Sequence, residues 1–255
     1  SWPGFYQLNS YTSVEDPFTL NSGNANLKPE THNQFNFEYS RRFKNHFLSA
    51  RIFYHHASDA IGNLMFVNES GLFENQKHNL GEISHTGIQL SAAMGFGKAG
   101  IHPYLKIFDV FSSPNNLAAG YGIEPKHQLT LESGLSAFTT FGKDFTASVN
   151  FQYASPVNQI QGNTFSDALY FFSLEKAFSE NLKTGVVSGL PLAKTFIYQG
   201  SEVAASDFNH YSKGEIHFSA IPLWIKINYR FSSGNNRQKI ERSKMAPEQE
   251  KRKGF

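Results

Sequence analysis

Hydrophobic and polar positions alternate with a period of two along most of this chain. The cleanest instance runs from Ile221 to Phe231. There Ile221, Leu223, Ile225, Ile227, Tyr229 and Phe231 fall on one face of an extended strand, and Pro222, Trp224, Lys226, Asn228 and Arg230 on the other, because successive side chains point to opposite sides. The same period predicts strands at 33–40, 46–56, 84–94, 101–111, 128–136, 145–153, 168–177 and 182–198, and a last one from about Lys213 to Phe231. Residues 145–153 are as clean as the last strand, setting Phe145, Ala147, Val149, Phe151 and Tyr153 against Thr146, Ser148, Asn150 and Gln152. Three segments are less regular: residues 101–111 are mixed, with Leu105 and Ile107 opposed to Lys106. Phe47 and Phe53 blur the polar face of 46–56, and Gly185, Gly189 and Pro191 mark a bulge or break within 182–198.

The connections differ in length in a regular order. Short polar turns fall at Lys44-Asn45, Gly97-Lys98-Ala99-Gly100, Gly142-Lys143-Asp144 and Ser179-Glu180-Asn181. Between them lie long stretches at roughly 57–82, 112–125, 154–167 and 199–212, rich in Asn, Ser, Gly and Asp. Tight turns at one end and long loops at the other are the asymmetry of a bacterial outer-membrane barrel, with the turns periplasmic and the loops extracellular. A soluble sandwich has no reason to gather its long loops at one end. Phe43, Phe47, Phe96, Phe141, Phe145, Phe178 and Phe231 all lie beside the short turns, as an aromatic girdle at one membrane interface would. Nine strands that start from a long-loop end finish at the short-turn end, which places the tail after Phe231 in the periplasm.

Composition narrows the classes further. The chain has 255 residues, 25 Phe and 11 Tyr; abundant aromatics in a chain that is polar on average suit alternating strands better than buried helices. The absence of Cys excludes a disulfide scaffold, thiol catalysis and Cys-rich zinc sites. A net charge of +2 gives no electrostatic drive toward nucleic acid. No run of about 18 apolar residues exists to make a transmembrane helix. The start, Ser1-Trp2-Pro3-Gly4, shows no initiator Met, no basic n-region and no apolar h-region, so the chain is expected to begin after processing or to be a piece cut from something longer.

The stretch Gly23 to Phe43, GNANLKPETHNQFNFEYSRRF, resembles the G-N-x-x-L-x-P-E loop and following strand of TonB-dependent outer-membrane receptors. The motif positions are Gly23, Asn24, Asn26, Leu27, Pro29 and Glu30. The upstream PGFYQLNSYTSVEDPF is similar to the segment before that loop in the family. The short turns, the Glu175-Lys176-Ala177-Phe178 strand end and the terminal IKINYRF with its charged tail resemble the outer-membrane β-barrel group common in Bacteroidota. The resemblance implies a globular plug ahead of a barrel of about twenty-two strands, opened by the TonB system to pass a ligand into the periplasm. On that footing residues 1–231 are the C-terminal part of the barrel and 232–255 a charged periplasmic tail. Many outer-membrane barrels end on the aromatic residue of the last strand, whereas 24 residues follow Phe231 here.

Other motifs carry less. GFGKAG at Gly95–Gly100 matches G-x-G-x-x-G, but a dinucleotide site needs a strand before it and a helix after it; alternating strands on both sides make it a hairpin turn. His55 and His56 are neighbours on a strand and face opposite ways, so they do not chelate one ion. Glu69, Glu74 and Asp59 show no spacing of a hydrolytic pair, and no Ser sits in an elbow motif. The tail holds seven Lys or Arg against three Glu, the pattern of a solvated segment.

The expectation is therefore an all-β, antiparallel transmembrane β-barrel segment of about nine strands within a larger barrel, in the bacterial outer membrane. It is expected to be no enzyme, and to have no cofactor and no metal site. Lys226, Asn228 and Arg230 are expected to face the lumen. The implied partners are outer-membrane lipid, the plug and N-terminal barrel strands of the same receptor, and, through the plug, the TonB system. Two alternatives are a passive porin-like or structural outer-membrane barrel, and a secreted all-β module that binds carbohydrate.

Overall fold

The computed structural model describes residues 1–9, 11–189 and 193–231. After a one-turn helix α1 (Phe5–Leu8) come strands β1 (Ser13–Asp16), β2 (Thr19–Ser22), β3 (Thr31–Phe43), β4 (His46–Val67), β5 (Phe73–Phe96) and β6 (Ala99–Pro114). A short helix α2 (Asn116–Gly120) follows, then β7 (Lys126–Phe141), β8 (Phe145–Ala154), β9 (Val157–Asn158), β10 (Asn163–Phe165) and β11 (Leu169–Ala177). The described chain ends with β12 (Leu182–Gly189), β13 (Thr195–Ala204), β14 (Asn209–His217) and β15 (Leu223–Tyr229). The fold is all-β.

One antiparallel path, β3-β4-β5-β6-β7-β8-β11-β12-β15, forms the wall. Its register carries the alternation from strand to strand. Tyr39, Ala50, Leu90 and Leu105 share one row, and Phe172, Ser188 and Leu223 another on the same face. This apolar face is bare: Phe37 is 71% exposed, Ile225 78% and Ile227 70%. The rows also slant. The row through Phe96 and Ala99, at the turn of one hairpin, continues through Thr139, Ala147, Leu174 and Val186 to Ile225, well inside β15. Such a stagger is what tilted strands in a barrel wall require.

The turns behave as their residues dictate. Gly97 takes φ +64° between β5 and β6, so GFGKAG is a hairpin turn flanked by strands. The expected girdle needs one correction. Phe43 and Phe96 flank His46 at 5.4 Å each, and Phe141 stacks on Phe145 at 6.0 Å, all on the apolar face. Phe47 pairs with Ala93 on the opposite face and takes no part, because it is one residue out of phase with Leu48.

Three further segments depart from a plain strand or loop for a local reason. The loop expected at 57–82 is a ladder: β4 and β5 stay paired as far as Val67 and Phe73. Its turn is closed by Asn68, whose side-chain oxygen accepts from the backbone N–H groups of Ser70 and Leu72. Register shifts around Ala60, beside Asp59 at φ +53°, change the phase of the alternation, so a constant period of two is lost although the strands continue. The break expected within 182–198 is present, and it divides two sheets: β12 ends at Gly189 and β13 starts at Thr195 in another sheet. The last strand is likewise divided at 218–222, where Pro222 lacks an N–H and constrains Ile221.

The supposed loops at 154–167 and 199–212 contain a second antiparallel sheet, β14-β13-β10-β9. It lies against the polar face of the wall. Val157 packs on Phe53, Phe108 and Val110, and Ile160 joins Leu64, Leu80, Ala118 and Ile123. The tightly packed core is therefore at the long-loop end, between the second sheet and the upper wall. The tail expected at 232–255 lies outside the described residues.

Candidate functional site

The polar face is ordered by cross-strand pairs. One row runs Glu38, Arg51, Gln89, Lys106, Glu132. Arg51 Nη2 donates to Glu38 Oε2 at 3.0 Å, Lys106 Nζ to Glu132 Oε1 at 3.0 Å, and Tyr104 Oη to Glu132 Oε2 at 3.0 Å. Lys106 also lies 4.1 Å from the centre of the Phe108 ring, a favourable place for a cation. A second row runs Thr146, Glu175, Gly185, Lys226. Here Lys226 Nζ donates to Glu175 Oε1 at 2.8 Å across the strand between them. That reach is open because residue 185 is glycine: a Cβ there would stand 2.7 Å from Glu175 Cγ and 2.7 Å from the Leu174 carbonyl.

Lys226 and Asn228 thus lie on the face opposite Ile225 and Ile227, with Trp224 beside them. Arg230 is past the end of β15, and its N–H donates to the Asn181 carbonyl at 2.8 Å. His55 and His56 separate as their spacing requires. His55 meets Asn36 at 3.1 Å on the polar face, and His56 meets Ser58 at 3.1 Å. Among the described residues no group of three His, Asp or Glu is placed to hold a metal ion.

The Gly23–Glu30 motif is a clasp. β2 runs along the edge of β5, and β3 along the edge of β4, so the loop between them must cross the β4–β5 ribbon. Gly23 passes so near the Asn9 backbone that no Cβ fits. Asn24 Nδ2 donates to the Lys77 carbonyl at 3.0 Å, and its Oδ1 accepts from Asn26 N–H at 2.9 Å. Leu27 is buried. Lys28 and Asn79 exchange two hydrogen bonds, at 2.8 and 3.0 Å. Glu30 Oε1 then accepts from Ile61 N–H at 2.5 Å, satisfying a donor at the β4 irregularity. Pro29, between these anchors, has no N–H of its own to place.

Above the Ala60 irregularity, two groups have shifted acidities. Burial pushes the Lys77 ammonium below its usual value, partly offset by Glu30. Burial lowers His78 too, with Glu74 opposing.

Two cavities open between wall and second sheet. One of about 690 Å3 has Tyr104, Glu132, Asn150, Gln152, Asp167 and Tyr198 among its lining residues. The other, of about 540 Å3, is lined in part by Asn63, Asn75, Lys77, Gln161, Asn163 and Gln199. Gln161 is fixed there by two hydrogen bonds to the Met65 backbone, at 2.8 and 3.0 Å. Amide side chains offer both donors and acceptors, so these walls suit a polar guest held by hydrogen bonds. The sequence did not point to these amides, because their approach depends on how the second sheet folds back.

A family model described as "Outer membrane protein beta-barrel family" matches residues 1–229. No curated protein and no solved structure matches the chain.

Proposed function

This chain belongs to the outer membrane protein beta-barrel family, and from that premise we propose that it forms part of the wall and extracellular mouth of a TonB-dependent import receptor. The observation that carries the membrane orientation is the bare apolar face backed by a face of paired charges. In hydrocarbon the first needs no cover, and the second must face water or protein. A secreted sandwich would cover its apolar face with its second sheet. Here the second sheet covers the polar face, which counts against a soluble module.

The resemblance of the Gly23–Glu30 clasp to the receptor family supports TonB-dependent import over passive diffusion. On this proposal the wall extends to about twenty-two strands, since β3 and β15 each have a single partner among the described residues and open edges are excluded from hydrocarbon. Lys226, Asn228 and Arg230 then face a plug or luminal water. The cavities under the second sheet receive the ligand from outside. The chain performs no chemistry on it; its charges serve to hold the wall and line the path. Conductance of the intact protein in planar bilayers tests this. A plugged receptor keeps the membrane nearly insulating until the plug is removed or displaced, while steady open-channel current from the intact protein would sink the import proposal in favour of a porin.

A further inference from the structure

We propose that the apolar face holds a specific anionic glycerophospholipid of the periplasmic leaflet, seated in a groove over Ala50 and Ala92 with its phosphate on Arg41. The proposal rests on the membrane orientation given above. Arg41 belongs to the apolar face: it pairs with Leu48, which pairs with Ala92. It is exposed, and among the described residues its guanidinium makes no hydrogen bond or ion pair, unlike Arg51 on the other face. A lone guanidinium on a lipid-facing wall needs an anion, and its long stem can reach toward the interface to find one.

The surface beside it is shaped for a chain. A groove of about 510 Å3 runs from Arg41 past Tyr39 and Leu48 to Leu90, Pro103 and Leu105. It exists because Ala50 and Ala92 stand where neighbouring rows carry larger side chains. One end is therefore cationic and the rest apolar, the complement of a phosphate head with an acyl tail. The level fits as well. Arg41 lies one row above Phe43 and the Phe43–His46–Phe96 cluster, which marks the interface. Lys44, Lys98 and Lys143 occupy three of the short turns below, and Lys176 lies over Phe145 and Phe178 at 5.2 and 4.8 Å. Asp144 stands beside Lys143 and Glu180 in the fourth turn, but the turns of Lys44 and Lys98, nearest Arg41, hold no acidic residue; that part of the rim favours an anionic headgroup, and Arg41 with its groove gives one lipid a fixed place.

The test uses the intact protein, inserted into vesicles of phosphatidylcholine with and without phosphatidylglycerol, then extracted in mild detergent for native mass spectrometry. Protease protection and sedimentation with the vesicles report insertion separately. The wild type should retain phosphatidylglycerol in preference to phosphatidylcholine. Arg41→Gln should lower that retention by about fivefold, the effect of one cationic side chain on anionic lipid. Ala92→Phe, which fills the groove and keeps the charge, should lower it as well, and Lys126→Gln at the far end of β7 should not. Insertion without any preference, or a preference that survives Arg41→Gln, would overturn the lipid site and leave the barrel orientation standing. Failure to insert at all would overturn both.

Discussion

At the scale of single residues, Gly185 shows how little room the wall leaves between its rows. The strand that carries it separates Glu175 from Lys226, and the ion pair closes over the missing side chain at 2.8 Å. A valine there would press on Glu175 Cγ and on the Leu174 carbonyl, and backbone on one side gives no room to yield. Gly185→Val is therefore expected to cost about 1–3 kcal/mol, the usual range for overpacking. Lys226→Gln should cost less, since partly exposed ion pairs contribute about 0–1 kcal/mol. Urea unfolding of the intact protein in bilayers compares the two; a larger loss from Lys226→Gln would mean that the pair, not the glycine, governs this row. The sequence marks Gly185 as an irregularity, yet its partners lie on β11 and β15, and no local pattern names them.

At the scale of elements, the Gly23–Glu30 clasp is expected to loosen when one histidine is protonated. His78 Nδ1 lies 3.3 Å from Asn24 Nδ2, and Nε2 lies 2.7 Å from Gln76 Oε1. A neutral ring protonated on Nε2 accepts from Asn24 and donates to Gln76; a doubly protonated ring meets Asn24 donor to donor. Burial holds the folded pKa below the ordinary 6.5. The folded state thus binds fewer protons than the unfolded one. Its stabilisation is complete above about pH 6.5 and falls as pH drops through that value toward the lower folded pKa. Hydrogen exchange at residues 23–30, corrected for intrinsic rates, should be faster at about pH 5.5 than at about pH 7.5. His78→Gln should abolish the difference. A clasp equally protected at both values would remove His78 from its support. Elements of this kind divide what the sequence could and could not tell. The wall strands were legible wherever apolar residues kept one phase, as in 145–153. The upper β4–β5 ribbon was not, because its phase changes at Ala60. The second sheet was not either, since Gln161 and Val157 find partners far away in sequence, and neither shows a periodic pattern of its own.

At the scale of the whole molecule, the decisive question is which face of the wall meets lipid, and β15 poses it with two adjacent residues. Ile225 and Lys226 differ by one position and by one face. Phe231 marks the short-turn rim, and it packs on Tyr229 at 4.6 Å. At about 3.4 Å per residue and a tilt of about 40°, Ile225 stands roughly 15 Å above that rim, near the bilayer midplane. Ile225→Arg should then cost about 2–4 kcal/mol of barrel stability, as arginine does at the midplane of a lipid-facing wall. A soluble sheet gives the opposite expectation: Ile225 is bare to solvent in that case, and an arginine there costs almost nothing. The measurement is unfolding of the intact protein from bilayers with either Ile225→Arg or Lys226→Gln. A penalty confined to Ile225 fixes the apolar face toward lipid, with Glu38, Arg51, Lys106 and Glu132 on the inside. Equal penalties would favour a soluble sheet, and a larger one at Lys226 would turn the wall inside out; either removes the ground for both the luminal path and the lipid groove.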